Sequence, residues 1–260
     1  MSEVISAWYV EQLLFALLVF VRLAMMLFAM PIMGSVLPRH FKMFLPLAIT
    51  LVILPSVYPI QAARLGLAAM GIQAFIVSLF MEGMVGLLIG LVVQLLVTGL
   101  QLGGELISNA SGLQLGSGAA PGDAQPMPLI AVFVGIFISA FMFATGGHRL
   151  IIAALLDSYH GMPVGAVGLN SDILELLVNQ LSRGVVAGIK LAGPVVTLVV
   201  LANVLTGVVS RTLPQINLLA IGLSLNMLGL LVGLALVLGS AGWLFQSELT
   251  RAAVGLSEVW

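Results

Sequence analysis

The chain has 260 residues, of which 61% are hydrophobic and 7% charged, and its mean hydropathy is +1.21. Soluble domains carry about 25% charged residues, so this composition excludes a soluble globular fold; long unbroken apolar runs, in place of short alternating segments, exclude a lipid-facing β-barrel. A formal net charge of −1 and the absence of cysteine leave no global field for nucleic acid, no disulfide, no thiolate metal site and no cysteine nucleophile.

What remains is an all-α, polytopic membrane protein. Residues 8–30 form the first apolar segment, with Arg22 inside it. Glu3 and Glu11 stand where a cleavable signal would carry basic residues, so this helix is expected to be retained. Pro31, Gly34 and Pro38 break it, and the basic group Arg39, His40 and Lys42 follows. A second apolar segment, 41–60, contains Pro46, Pro55 and Pro59, which bend or end it. Beyond Arg64, residues 67–107 are apolar for about forty residues, roughly 60 Å as one helix and twice a hydrocarbon core. Either two spans turn near Met81, Glu82 and Gly83, or one long helix need not match a bilayer.

Residues 108–128 are polar and flexible: Gly112, Gly116, Gly118 and Gly122, then Pro121, Pro126 and Pro128, with Asp123 as the one charge. Such backbone is costly in lipid unless protein encloses it or it lines a water-filled path, which marks it as a candidate pore element. The alternative is an ordinary exposed connection, although the stretch is long for a helix–helix loop. A helix over 129–145, ended by Gly146 and Gly147, precedes a short one over 151–156. Ser171 and Asp172 read as the N-cap of a helix over 173–209 that carries Arg183 and Lys190 and is interrupted at Gly193 and Pro194. After residues 211–217 the last apolar helix covers 218–245. The tail, 246–260, is amphipathic, with Leu244, Phe245, Leu249 and Val254 opposing Glu248, Arg251 and Glu258, and is expected at an interface. The spans number about six, and Lys and Arg are too evenly spread to orient them.

Four small-xxx-small pairs, Gly86/Gly90, Gly99/Gly103, Gly184/Gly188 and Gly229/Gly233, favour helices in close backbone contact. Arg22, Glu82, Glu105, Arg183 and Lys190 lie in or beside apolar segments, where an isolated charge costs roughly 2.5–3.5 kcal/mol on insertion scales. They are expected to be buried or interface charges, paired within or between subunits; a proton relay is the alternative. His40, His148 and His160 are far apart and at segment ends, without metal-ligand spacing. No nucleophile elbow, phosphate loop or zinc-protease helix is present, so no enzyme, cofactor or metal is expected. In 211–217, Pro214 lacks an amide donor, while Gln215 and Asn217 can bond carbonyls left free at a helix break.

In order and spacing these features resemble the FliR family of flagellar biosynthetic proteins, whose injectisome relatives are called SctT, SpaR or YscT. The resemblance runs through Arg22 with Pro31, Pro38 with Lys42, Glu82-Gly83-x-x-Gly86, and Gly103-Gly104-Glu105 ahead of the polar stretch. It continues through Gly146-Gly147-His148, Ser158 with Pro163, Gly193-Pro194, and Arg211-x-x-Pro214-Gln215-x-Asn217.

That resemblance implies a single integral-membrane domain over 1–260, built of long kinked helical hairpins like a FliP-type and a FliQ-type subunit joined in one chain. It implies a core subunit of the flagellar type III export gate, one copy closing a helical assembly with FliP and FliQ, near FlhB, in the inner membrane at the basal body and lifted partly towards the periplasm. The implied cargo is unfolded flagellar protein moved by a separate energy source, with membrane lipid as a further contact and no nucleic acid. By position, residues 108–128 match a loop that plugs the channel: Ser108, Asn109, Gly112, Leu113, Gln114, Leu115, Gly116, Gly118, Gly122 and Asp123. Its glycines would make rearrangement cheap, and Leu113 and Leu115 would form a constriction that gates by dewetting. An injectisome homologue, a secondary transporter using the intramembrane charges, and a scaffold whose loop never enters a pore stay open as alternatives.

Overall fold

Long runs of Leu, Val, Ile, Ala and Met can satisfy their backbone amides in lipid only within the segment, so they wind into helices. The computed structural model describes residues 2–30, 39–61, 71–112, 128–165, 172–212 and 218–259. Every regular element among them is a helix: α1 (Ser2–Ala29), α2 (Arg39–Gln61), α3 (Ile72–Ser111), α4 (Leu129–Ala144), α5 (Gly147–Gly161), α6 (Asp172–Thr212) and α7 (Leu218–Val259). The protein is all-α.

Among the described residues four segments are long and apolar enough to cross a membrane, Tyr9–Ala29, Ile72–Ser111, Ile173–Val209 and Gly222–Glu258, and α4 with α5 makes a fifth if the pair is one broken span. This is fewer than the six expected. In α2 the apolar part is only Met43–Pro59, short of the ~20 residues a span needs, and α3 runs straight through Glu82 and Gly83. At 40, 41 and 42 residues, α3, α6 and α7 are each about 60 Å long.

Four boundaries differ from the sequence reading, one of them that of α5, which covers Gly147–Gly161 in place of the expected 151–156. α3 continues through Ser111, so Ser108 and Asn109 belong to its last turn, and Gly112 ends it at a left-handed φ of 72°. α6 is not interrupted at Gly193 and Pro194: one lost amide bond is tolerable in an apolar helix whose other turns are intact, and Thr197 Oγ1 donates to the Gly193 carbonyl at 2.8 Å. α7 runs unbroken through the tail. There Phe245, Glu248, Leu249, Ala252 and Leu256 are buried while Val254 is exposed. The expected faces of Glu248 and Val254 are therefore exchanged, because a 3.6-residue period sets Glu248 beside Leu249 and Val254 opposite. The break between α4 and α5 is at the expected place. The Thr145 backbone N–H and hydroxyl both donate to the Phe141 carbonyl at 2.9 Å, and Gly146 takes the left-handed φ of 74° that glycine adopts without strain.

The chain divides into two compact units: residues 1–94, 146–179 and 250–260 in the first, and 95–145 and 180–249 in the second. In the first, Phe15, Leu18, Val19, Arg22, Leu23 and Met26 form the buried stripe of α1, and Phe15 meets Tyr58 of α2 edge to face at 5.6 Å. Gly86 and Gly90 of α3 lie on the α1 backbone. A Cβ on Gly90 would come within 2.5 Å of the Met26 carbonyl oxygen, and one on Gly86 would collide with the Arg22 carbonyl.

In the second unit, Gly99 and Gly103 of α3 face Gly184 and Gly188 of α6. Any Cβ on these glycines would run into the partner backbone, as at Gly184, where it would lie 2.7 Å from the Leu95 carbonyl oxygen. Two small-xxx-small pairs thus interlock, and dispersion between bare backbones holds the helices together. Gly104 lies against Ala131 of α4 and Gly242 against the Phe141 ring. Gly229 is in ordinary contact only, so its spacing to Gly233 is not a second seam of this kind.

Candidate functional site

The most polar buried place among the described residues is in the first unit. Arg22 lies on the buried face of α1 and Glu82 on that of α3, 1% and 2% exposed. Arg22 Nε–H donates to Glu82 Oε2 at 2.6 Å, Nη1 donates to Ser158 Oγ at 3.0 Å, and Nη2 donates to the Met162 carbonyl at 3.1 Å. The guanidinium carbon lies 4.2 Å from the centroid of the Tyr159 ring, a cation–π distance. The other Glu82 oxygen, Oε1, accepts the Gly165 backbone N–H at 3.0 Å, and Ser158 Oγ donates onward to the Leu155 carbonyl at 2.6 Å.

A guanidinium has five donors in a fixed fork and no acceptor. Here carboxylate, hydroxyl and carbonyl meet all three nitrogens, and an aromatic face covers the plane. Burying an ion pair costs several kcal/mol per ion and is recovered only with complete hydrogen bonding. This knot supplies three bonds to the guanidinium and a further one to the carboxylate, tying α1, α3, α5 and the turn at 162–165 together. Gly165 has a φ of 81°, and that left-handed bend is what aims its N–H at Glu82. The arrangement can hold helices in one register; it offers no exposed group for chemistry. Among the described residues no three His, Asp or Glu side chains cluster as a metal site requires.

The remaining sequence candidates are dispersed. Ser108 is buried and Asn109 exposed in the last turn of α3, where Ser111 Oγ donates to the Ser108 carbonyl at 3.1 Å. Among the described residues no atom would lie within 4 Å of a Cβ on Gly112. Glu105 is half-buried, and Arg183 and Lys190 are exposed on α6. Leu113, Gln114, Leu115, Gly116, Gly118, Gly122 and Asp123 lie outside the described residues, as do Pro214, Gln215 and Asn217.

Residues 13–252 match the family described as bacterial export proteins, family 1. The chain belongs to that family. It is 29% identical over 238 residues to the flagellar biosynthetic protein FliR of Caulobacter vibrioides, covering 87% of this chain and 92% of the relative. Against the protein of that name from Aquifex aeolicus it is 28% identical, over 85% of this chain and 84% of the relative. Against that of Escherichia coli the figures are 26%, 77% and 73%.

The stretch matched to the export family contains the whole knot. Arg22, Glu82, Gly86 and Ser158, separate marks along the sequence, meet in one place. Tyr159, the Met162 carbonyl and the Gly165 amide were not legible as members. Tyr159 is simply the neighbour of Ser158, and a carbonyl or amide contributes through backbone position rather than residue type. The one available signal was the short Pro163-Val164-Gly165 turn, where a glycine admits a left-handed residue.

Proposed function

We propose that this export-family protein is a core subunit of the flagellar type III protein export gate, assembled in the bacterial inner membrane at the basal body with FliP and FliQ and beside FlhB. The observation that carries the reading is the family match over residues 13–252 together with relatives named flagellar biosynthetic protein FliR along most of their length. Two physical features support it. Helices of about 60 Å are twice as long as a hydrocarbon core, and only 39% of the most apolar windows of α6 and α7 is buried within the chain. Apolar surface on that scale calls for partner subunits, in an assembly raised partly towards the periplasm. The flagellar names of the relatives favour this system over a virulence injectisome.

Native mass spectrometry of the tagged chain, extracted in mild detergent from its own host, tests the reading. One copy with several copies of two small hydrophobic proteins is expected; a lone monomer or homodimer would overturn it. In the same spectrum, Pro214→Ala with Gln215→Ala is expected to deplete the assembly, since Pro214, Gln215 and Asn217 are proposed to cap helix ends at the α6–α7 joint. An unchanged spectrum would remove that role.

Residues 108–128 are proposed to plug the channel. A plug has to seal against ions yet yield to an unfolded chain, so weak redundant contacts and low-barrier backbone rearrangement suit it. Deleting residues 112–122 is expected to leave assembly intact and make the membrane leaky to ions. Conductance equal to that of the intact protein would exclude the plug.

A further inference from the structure

The exposed face of α6 carries two features that neither lipid nor water can cover alone. Val186, Ile189, Val200, Leu201, Val204, Leu205 and Val208 lie along it, each between 45% and 57% exposed, and Arg183 and Lys190 share it, also exposed. Residues 183 and 208 are about 38 Å apart along the helix, against a hydrocarbon thickness of about 30 Å. A bilayer set over both cations buries unpaired charge or makes them snorkel; one set beyond them leaves Val186 and Ile189 outside the hydrocarbon. A protein helix that pairs the charges removes both penalties.

The same face has further polar demands. Pro194 has no amide hydrogen to give the Lys190 carbonyl one turn back; Gly193 and Pro194 are exposed, and among the described residues a Cβ on Gly193 would meet nothing within 4 Å. Among the described residues, neither Arg183 nor Lys190 is in an ion pair. Seven residues apart, they lie on one side of α6, about 10 Å from each other along the axis.

We propose that this face docks an apolar helix of another subunit that bears two carboxylates about two turns apart, one for Arg183 and one for Lys190. A second copy fits less well, because pairing the stripe with itself would bring like charges together. The proposal rests on the multi-subunit reading above and adds which surface and which chemistry make the contact.

The test uses the full complex in native membranes. A benzophenone side chain at Val186 is photo-crosslinked and the attached peptide sequenced. The expected product is an apolar peptide of another subunit with two acidic residues about seven positions apart. Crosslinks confined to lipid, to a second copy or to residues 113–127 of the same chain would overturn the proposal. Independently, Arg183→Glu with Lys190→Glu is expected to lower co-purified partner roughly tenfold or more, and changing the captured carboxylates to lysine is expected to restore it. Co-purification at the wild-type level in the double variant, or no restoration by the swap, would also overturn it. If the unaltered chain brings down partners while these outcomes fail, only the docking surface is wrong. If it brings down none, the export-gate reading falls with it.

Discussion

The two compact units both pack glycines against a neighbouring backbone to fasten helices that lipid could solvate equally well, but among the described residues only the first adds a buried ion pair. The first uses a buried charge: Arg22 binds Glu82, Ser158 and the Met162 carbonyl, and Glu82 also takes the Gly165 amide. The second uses the removal of side chains, with Gly99 and Gly103 against Gly184 and Gly188. A charge knot is directional, tolerates few geometries and fails badly when one member is lost, because the remaining ion stays buried. A glycine seam has no direction and no charge; it fails when volume is added. The comparison teaches that the first unit should be sensitive to polarity as well as to size at Gly86 and Gly90, and the second chiefly to size.

The largest expected effect is at the knot. Arg22→Ala should destabilise the protein by about 3–5 kcal/mol, since it strands Glu82, whereas Arg22→Met combined with Glu82→Leu should cost clearly less than either single change. Thermal unfolding in detergent of the two singles and the double reads this directly; a double variant as unstable as the sum would mean the pair is not acting as one unit.

The seam comes next. Gly188→Ala adds a methyl group where the Gly99 carbonyl already lies and should cost about 1–3 kcal/mol by overpacking. Gly239→Ala is its internal control: among the described residues nothing lies within 4 Å of the added Cβ, so the helix should gain up to about 1 kcal/mol from propensity. Equal unfolding temperatures for both variants would dissolve the distinction between a packed and an open glycine.

An effect comparable to that of the seam, and below that of Arg22→Ala, is expected for Ser158→Ala, which removes one hydrogen bond to a charged group and should cost about 1.5–3 kcal/mol. If it matched Arg22→Ala, the serine rather than the ion pair would be the centre of the knot.

Much of the fold was legible in the chain. Apolar runs without alternation dictate helices, because amides in lipid must bond within their own segment, and Gly146 announced the α4–α5 break. Composition also set Arg22 and Glu82 apart as charges needing partners. Helix continuity was less legible. Glycine and proline have weaker effects in apolar helices than in water, so Gly83 did not end α3 and Pro194 did not end α6.

The sequence by itself determined the class, the long helices and the residues with unmet electrostatic or steric demands. Tertiary structure alone decided who meets those demands. Arg22 and Glu82 are 60 positions apart, and Arg22 and Ser158 are 136 apart, distances over which no local periodicity carries information. The partnership of Gly99 with Gly184 is of the same kind. A glycine declares only that something may come close; which backbone does so depends on how whole helices pack, and that is a property of the folded chain.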